Sequence, residues 1–203
     1  IFRVDDPQLI GRAENAAALS DEYVFDVAGR TFSVTDDVVH VQSGAKGERL
    51  RRVDVIPPVS LRFASEVSLF TPGARRTVAV EVVAARAGAA GQLELALPPG
   101  WRVAPVAQPF QLAAVGARTT LRFEVTAPAQ AGAGRMTAAA VVGGQRYSQQ
   151  RIEINYPHIP LQLLQPPARA RLLCTEVAKR GQRVGYLAGA GDDTAAALDQ
   201  LGY

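Results

Sequence analysis

The sequence is poor in the residues that most often carry covalent or metal chemistry. Among its 203 residues there are one cysteine, Cys174, and two histidines, His40 and His158. A single cysteine excludes an internal disulfide, and its position in an apolar run predicts a buried, unreactive thiol. The histidines lack the spacing of an H-E-x-x-H or H-x-x-E-H motif. We therefore predict no metal ligands, no cofactor and no catalytic residue in this chain.

Lysine is also scarce, and no long apolar run is present. Of the 22 basic residues only Lys46 and Lys179 are lysines, and 19 acidic residues leave a net charge of +3. The basic residues occur singly or in pairs with acids between them, which excludes the basic stripe of a nucleic-acid-binding protein. Because no run approaches the ~20 apolar residues of a membrane helix, no membrane span is predicted. The chain begins without methionine, and we expect it to be a piece of a longer protein.

Two short segments are open to more than one interpretation. Asp36 and Asp37 are predicted to form the turn between two strands, although paired carboxylates also suit calcium. The turn at 189–194 precedes a helical segment and has two glycines, but Thr194 stands where a G-x-G-x-x-G motif needs the third. Asp192 and Asp193 favour capping of the helix over phosphate binding, because their negative charge repels phosphate.

What the sequence does contain is a repeated alternation of apolar and polar residues, which is typical of β-strands. The alternation runs through residues 78–82, 93–97, 121–125 and 152–154. Proline or glycine turns separate these runs every ten residues or so, as in an antiparallel sandwich. We predict a mainly β protein with an immunoglobulin-like antiparallel β-sandwich, a partial β-sheet before it and a short α/β start after it.

The same pattern predicts three segments. Residues 1–57 are expected to be a partial β domain, the C-terminal half of an upstream sandwich, and the paired prolines Pro57 and Pro58 mark its end. Residues 58–156 are the predicted sandwich. Residues 157–203 are expected to be an extended linker followed by the first β-α unit of a truncated α/β domain, with a strand at 183–188 and a helix at 192–201.

Two aromatic residues of the predicted sandwich are candidates for carbohydrate stacking. Trp101 is the only tryptophan and follows the turn at 98–100, where an exposed ring could stack on a sugar. The alternative is that Trp101 is a packing anchor at the end of the sandwich. Tyr147 is the second candidate for a stacking platform.

Several stretches resemble known families. Two segments resemble NEW3, a sandwich domain associated with bacterial α-galactosidases: Leu97-Pro-Pro-Gly-Trp-Arg-Val103 and Leu121-Arg-Phe-Glu-Val-Thr-Ala-Pro128. Three further segments resemble the region downstream of the catalytic domain in long bacterial deacetylases of the PIG-L (LmbE-like) family. They are Val55-Ile-Pro-Pro-Val-Ser60, Ile154-Asn-Tyr-Pro-His-Ile-Pro160 and Val184-Gly-Tyr-Leu-Ala-Gly-Ala-Gly-Asp192.

The resemblance implies a parent protein that is a zinc-dependent N-deacetylase acting on N-acetylglucosamine-type substrates. The family's Ala-His-Pro-Asp-Asp metal motif does not occur in this sequence, so no catalytic residue carries over. The expected function is a non-catalytic accessory or scaffold region of a hydrolase; the alternative is a carbohydrate-binding module. Expected partners are other domains of the parent protein, carbohydrate, and a second copy of this chain when it is separated from the parent protein. The family's usual export implies a periplasmic or secreted location.

Overall fold

The chain folds into two compact units. The computed structural model describes residues 6–11, 14, 16–44, 47–189 and 191–203. One unit comprises Ile1–Ile56 with Glu153–Leu163, and the other comprises Pro57–Ile152 with Leu164–Tyr203. None of the helices within these described ranges is long and apolar enough to cross a membrane.

The first unit is built from short hairpins. Strands β1 (Ser20–Val27) and β2 (Arg30–Asp37) pair antiparallel, and so do β3 (Val39–Gly44) and β4 (Gly47–Arg52). Ala28 and Gly29 connect β1 to β2 with φ of 53° and 76°, the positive values that a two-residue hairpin turn requires. The Asp26 carboxylate stabilises this turn by accepting the Gly29 N–H at 3.1 Å. These hairpins form where a partial β-sheet was predicted.

The predicted turn at Asp36 and Asp37 is wrong. Both residues belong to β2, and only Val38 separates β2 from β3. The Asp37 carboxylate pairs with Arg52 at 2.7 Å, and the Val38 carbonyl accepts the Val53 N–H at 3.0 Å. These contacts keep the backbone extended where two aspartates in sequence suggested a reversal.

The second unit contains the sandwich, whose strands follow one another closely along the chain. In order they are β5 (Val59–Phe63), β6 (Val67–Phe70), β7 (Arg75–Ala84), β8 (Ala89–Ala96), β9 (Arg102–Ala104), β10 (Ala107–Leu112), β11 (Arg118–Thr126), β12 (Gly132–Val142) and β13 (Gln145–Tyr147). Strand β16 (Arg169–Cys174) and the helix α1 (Thr194–Gln200) also belong to this unit. Strands β14 (Ile152–Ile154) and β15 (Gln162–Leu164) pair with each other and lie largely in the first unit, which also contains a 3-10 turn at Pro7–Leu9.

Two sheets face each other across one core. The first has the order β5-β7-β11-β9, and the second has the order β10-β8-β12-β16-β6, with β13 beside β12. All described pairings are antiparallel except that of β16 with β6. The arrangement confirms the predicted mainly β, immunoglobulin-like sandwich.

The alternation in the sequence explains the core. On β7, Val78, Val80 and Val82 are buried while the residues between them are more exposed. Successive side chains of a strand point to opposite faces, so one face of each strand supplies apolar side chains to the interior. Leu61, Phe123 and Leu172 come from three other strands and are also fully or almost fully buried. Among the described residues the core has no buried polar or charged side chain.

The C-terminal segment departs from its prediction. Residues 157–203 were expected to form a linker and the start of another domain, but β16 is inserted into the sandwich sheet between β12 and β6. Ala170, Leu172 and Cys174 alternate toward the core and are buried, which is the physical reason for its position. Residues 183–188 carry no strand and are exposed. The predicted helix is present but shorter, as α1.

Candidate functional site

Trp101 lies at one end of the sandwich, just before β9. Its ring is half-buried and makes an edge-to-face contact with the buried Phe70 ring, with centroids 4.9 Å apart and planes at 87°. Gly100, at φ 84°, lets the chain turn, and the Trp101 N–H donates to the Pro98 carbonyl at 3.3 Å. Edge-to-face aromatic contacts stabilise a core beyond the area they bury. Part of the ring therefore serves as a packing anchor.

A shallow depression opens beside Trp101. Its volume is about 640 Å³, and Arg102, Thr126 and Gln130 provide the polar side chains of its lining. The floor is held by a hydrogen bond from the Gly73 N–H to the Pro128 carbonyl at 2.9 Å. An aromatic ring flanked by a few hydrogen-bonding groups is the composition of a small polar ligand site, so this depression, which we call the Trp101 depression, is a candidate sugar site.

Tyr147 occupies a different part of the sandwich. It lies opposite Ala140 on β12, its ring packs against the core, and its hydroxyl donates to Gln145 Oε1 at 2.7 Å. The Trp101 turn touches β12 near Gly134, where an added Cβ would lie 2.5 Å from Pro98 Cγ. Six residues of strand span roughly 20 Å. The structure therefore does not bring the two predicted stacking residues together.

A cluster of exposed aromatic and β-branched residues lies in the first unit and was not predicted as a site. Tyr23, Phe25, Val27, Phe32 and Val34 form what we call the hairpin face of β1 and β2, and their side chains are 50–59% exposed. The Tyr23 and Phe25 rings stack with centroids 6.5 Å apart and planes at 20°. The alternation of apolar residues predicted these two strands. An exposed apolar surface could have been predicted only by noting that the apolar residues of both strands fall on the same side of the hairpin.

Helix α1 is attached to the edge of the sandwich by one side chain. Gln200 Oε1 accepts the Leu69 N–H at 2.9 Å, and Gln200 Nε2 donates to the Val67 carbonyl at 3.2 Å. Arg76 donates to the Gln200 carbonyl at 2.5 Å. Because β6 is the last strand of its sheet, the Gln200 carboxamide takes the position that the peptide group of a further strand would occupy. An edge covered in this way is less open to pairing with another chain.

The remaining polar candidates are dispersed. His40 lies opposite Arg51 on β3 and β4, and the His158 ring stacks on Tyr156 with centroids 5.8 Å apart. Over residues 6–11, 14, 16–44, 47–189 and 191–203, no group of three His, Cys, Asp or Glu residues could hold a metal ion. Cys174 is 1% exposed, as predicted, and burial raises the pKa of its thiol because the thiolate is poorly solvated.

The turn before α1 contains a local hydrogen-bond pair. Asp192 accepts hydrogen bonds from the Tyr186 hydroxyl and, at 3.2 Å, from the Thr194 N–H. Both hydrogen bonds lower the pKa of the Asp192 carboxyl, and the bond from Tyr186 lowers it more than the bond from Thr194. Asp192 thus caps the first turn, as predicted, whereas Asp193 makes no side-chain capping bond.

Comparisons with known proteins find one kind of likeness. No protein-family model and no curated protein matches the sequence. Among 33 chains of solved structures that match, one is native α-2-macroglobulin from Escherichia coli, spanning the residues from domain MG7 to the C-terminus. It is 16% identical with a TM-score of 0.35, and the match covers 58% of this chain and 16% of that chain. At this similarity nothing about binding or activity carries over.

Proposed function

We propose that this chain is a non-catalytic accessory region of a bacterial PIG-L-like deacetylase, in which the sandwich acts as a scaffold for neighbouring segments of the parent chain. The three sequence segments that resemble this family support the assignment of the parent protein. A periplasmic or secreted location and zinc-dependent hydrolysis by the parent belong to the same proposal. The two NEW3-like segments support an accessory role for the sandwich.

The observation that carries the scaffold role is the attachment of α1. Gln200 occupies the hydrogen-bonding groups of Val67 and Leu69 on the edge strand β6, and Arg76 fixes the backbone of the same residue. Three polar contacts converge on one residue of a seven-residue helix, which is too short to be stable in isolation. The sandwich therefore holds the helical segment in place, as a scaffold domain holds its neighbour.

The proposal is tested with zinc and substrate. The chain is incubated with Zn²⁺ and chitooligosaccharides, and released acetate is quantified against a deacetylase as positive control. No acetate above the background of zinc alone is expected. Enzyme-like turnover that EDTA abolishes would overturn the assignment as an accessory region.

A carbohydrate-binding module is the second candidate, and the Trp101 depression favours it. The half-buried indole leaves part of its surface beside Arg102 and Gln130, and such a ring with nearby donors suits the apolar face and hydroxyls of a sugar. Tyr147 is the less favourable platform, because its hydroxyl is already hydrogen-bonded to Gln145.

A titration distinguishes the two candidates. The amide and indole N–H signals of the chain are followed by NMR while chitooligosaccharide is added. Binding at the depression would shift the Trp101 indole and Gln130 signals, and Arg102→Ala would weaken the shifts while Tyr147→Phe would not. If no signal moves at saturating sugar, the module hypothesis is wrong and the scaffold proposal remains.

A further inference from the structure

The hairpin formed by β1 and β2 has one polar and one apolar face. Residues directly opposite each other in an antiparallel pair share a face. Four cross-strand pairs line one side in order along the hairpin: Asp21 with Asp36, Tyr23 with Val34, Phe25 with Phe32, and Val27 with Arg30. The opposite side carries Glu22, Asp26, Thr31, Ser33 and Thr35, with Val24 as its apolar member.

The apolar side is uncovered. All five apolar side chains of the hairpin face are at least half exposed, although a monomer rarely leaves a contiguous patch of aromatic and β-branched residues in water. A two-stranded hairpin alone is also only marginally stable. Both facts indicate that this face packs against something when the protein functions.

The charges at the two ends of the face indicate what that partner is. Arg30 lies at the turn end, while Asp21 and Asp36 lie at the open end. If a second hairpin stacks on the first in the antiparallel sense, Arg30 of each copy comes over the two aspartates of the other. Parallel stacking would instead bring both Arg30 side chains to one end and all four carboxylates to the other, where like charges repel one another.

This pattern is self-complementary under a two-fold axis, which is the condition for an isologous dimer. The axis would pass between the two central aromatic pairs, so that Tyr23 and Val34 of one copy pack on Phe25 and Phe32 of the other.

We propose that a second copy of this chain docks its hairpin face on this one, forming a two-fold symmetric dimer with Arg30 of each copy against Asp21 and Asp36 of the other. The face is one hairpin of about 27 Å in length, from eight residues at 3.4 Å each. It is smaller than a standard interface side of about 800 Å², so the dimer is weak and its population rises with concentration. The proposal does not depend on the deacetylase parentage.

The first experiment is sedimentation velocity on the full chain over a wide concentration range. We expect the wild-type chain to shift from monomer toward dimer as concentration rises. Phe25→Asp, on the hairpin face, should weaken association at least about tenfold. The matched control is Val24→Asp, at an adjacent residue that is also more than half exposed but lies on the polar side, and it should leave association unchanged. A wild-type chain that stays monomeric at its highest soluble concentration, or equal effects of the two variants, would overturn the proposal.

The second experiment reverses the charges and then restores them. Arg30→Glu alone and the Asp21→Lys, Asp36→Lys pair alone should each abolish dimerisation, because each sets like charges against one another. Mixing the two variants should restore a heterodimer, because both ends of the interface then pair opposite charges. Asp36 also accepts the Asp37 N–H at 2.8 Å, so circular dichroism must show that the paired variant keeps its fold; Asp21→Lys alone serves if it does not. Failure of the mixture to form a heterodimer would rule out the antiparallel stacking.

Discussion

The sandwich and the first-unit hairpin use the same sequence pattern and reach opposite results. In β7, every second residue from Val78 to Ala84 is apolar and is buried at 7% exposure or less. In β1, Tyr23, Phe25 and Val27 alternate in the same way and are at least half exposed. The alternation thus determines the strand and its apolar face, but whether that face is covered depends on a second sheet.

The largest effect is expected from replacing equivalent aromatic residues in the two regions. Phe123→Ala should lower the free energy of unfolding of the sandwich by about 3–5 kcal/mol, because Phe123 is fully buried and the deletion leaves a cavity. Phe25→Ala should cost under about 1 kcal/mol, because half of that side chain is already in water. Guanidinium unfolding followed by far-UV circular dichroism, at concentrations where the chain is monomeric, measures both. Equal costs would contradict the contrast between the regions.

The next effect concerns how closely the sandwich strands approach. A Cβ on Gly91 would lie 2.1 Å from the Val141 carbonyl oxygen, so Gly91→Ala should destabilise the sandwich by about 1–3 kcal/mol through overpacking. Gly132, on β12 of the same sheet, has nothing within 4 Å of its Cβ position and a φ outside the left-handed region. Gly132→Ala is therefore the control and should be neutral or slightly stabilising. Thermal unfolding monitored by Trp101 fluorescence compares the two variants; similar midpoints would show that the strand spacing adapts.

A smaller effect is expected at the edge of the sandwich. Gln200→Ala removes the two side-chain hydrogen bonds to β6 and should cost about 1 kcal/mol. Hydrogen exchange of the Leu69 amide should accelerate, because its acceptor is lost. Asp199→Ala, an exposed neighbour on α1, is the control and should leave the Leu69 amide unchanged. If Leu69 exchanges equally fast in all three proteins, α1 is not held by Gln200.

The smallest effect is expected in the exposed segment before α1. The Tyr186 hydroxyl bond is the main cause that lowers the pKa of the Asp192 carboxyl, so Tyr186→Phe should move that pKa back toward the ordinary value of aspartate. A depressed folded-state pKa stabilises the fold above the unfolded-state pKa, and this contribution disappears as pH falls through the folded pKa. Carboxyl carbon NMR titration of both proteins measures the shift. An unchanged Asp192 titration would show that the Thr194 N–H is sufficient.

Strands that alternate cleanly were predictable from the sequence. The predicted runs at 78–82 and 121–125 lie within β7 and β11, because apolar residues occupy every second position of each run. The short β9 was not predicted, since three residues are too few to show a period. Residues 183–188 had the composition of a strand but have no strand beside them in the described part of the chain.

The candidate sites were predictable only by residue type. Sequence position placed Trp101 at a turn, and the structure adds that its ring makes an edge-to-face contact with Phe70. Trp101 and Tyr147 were predicted as alternative stacking platforms, and the register of β12 with β13 shows that they occupy different parts of the sandwich. The hairpin face requires the register of β1 with β2, which puts Phe25 opposite Phe32, and a sequence read strand by strand does not contain that register.

The sequence by itself determined which segments are extended, which side of each is apolar, and that histidine, cysteine and acidic residues are too scattered in number and spacing to predict a reactive centre. These properties depend on side-chain order along a single strand, where a period of two residues is imposed by the backbone. Only the tertiary structure decided that β16 enters the sandwich beside β6, that Gln200 closes the edge of that sheet, and that the hairpin face is exposed in the single chain. Each of these depends on contacts between residues far apart in the chain, and local periodicity does not specify them.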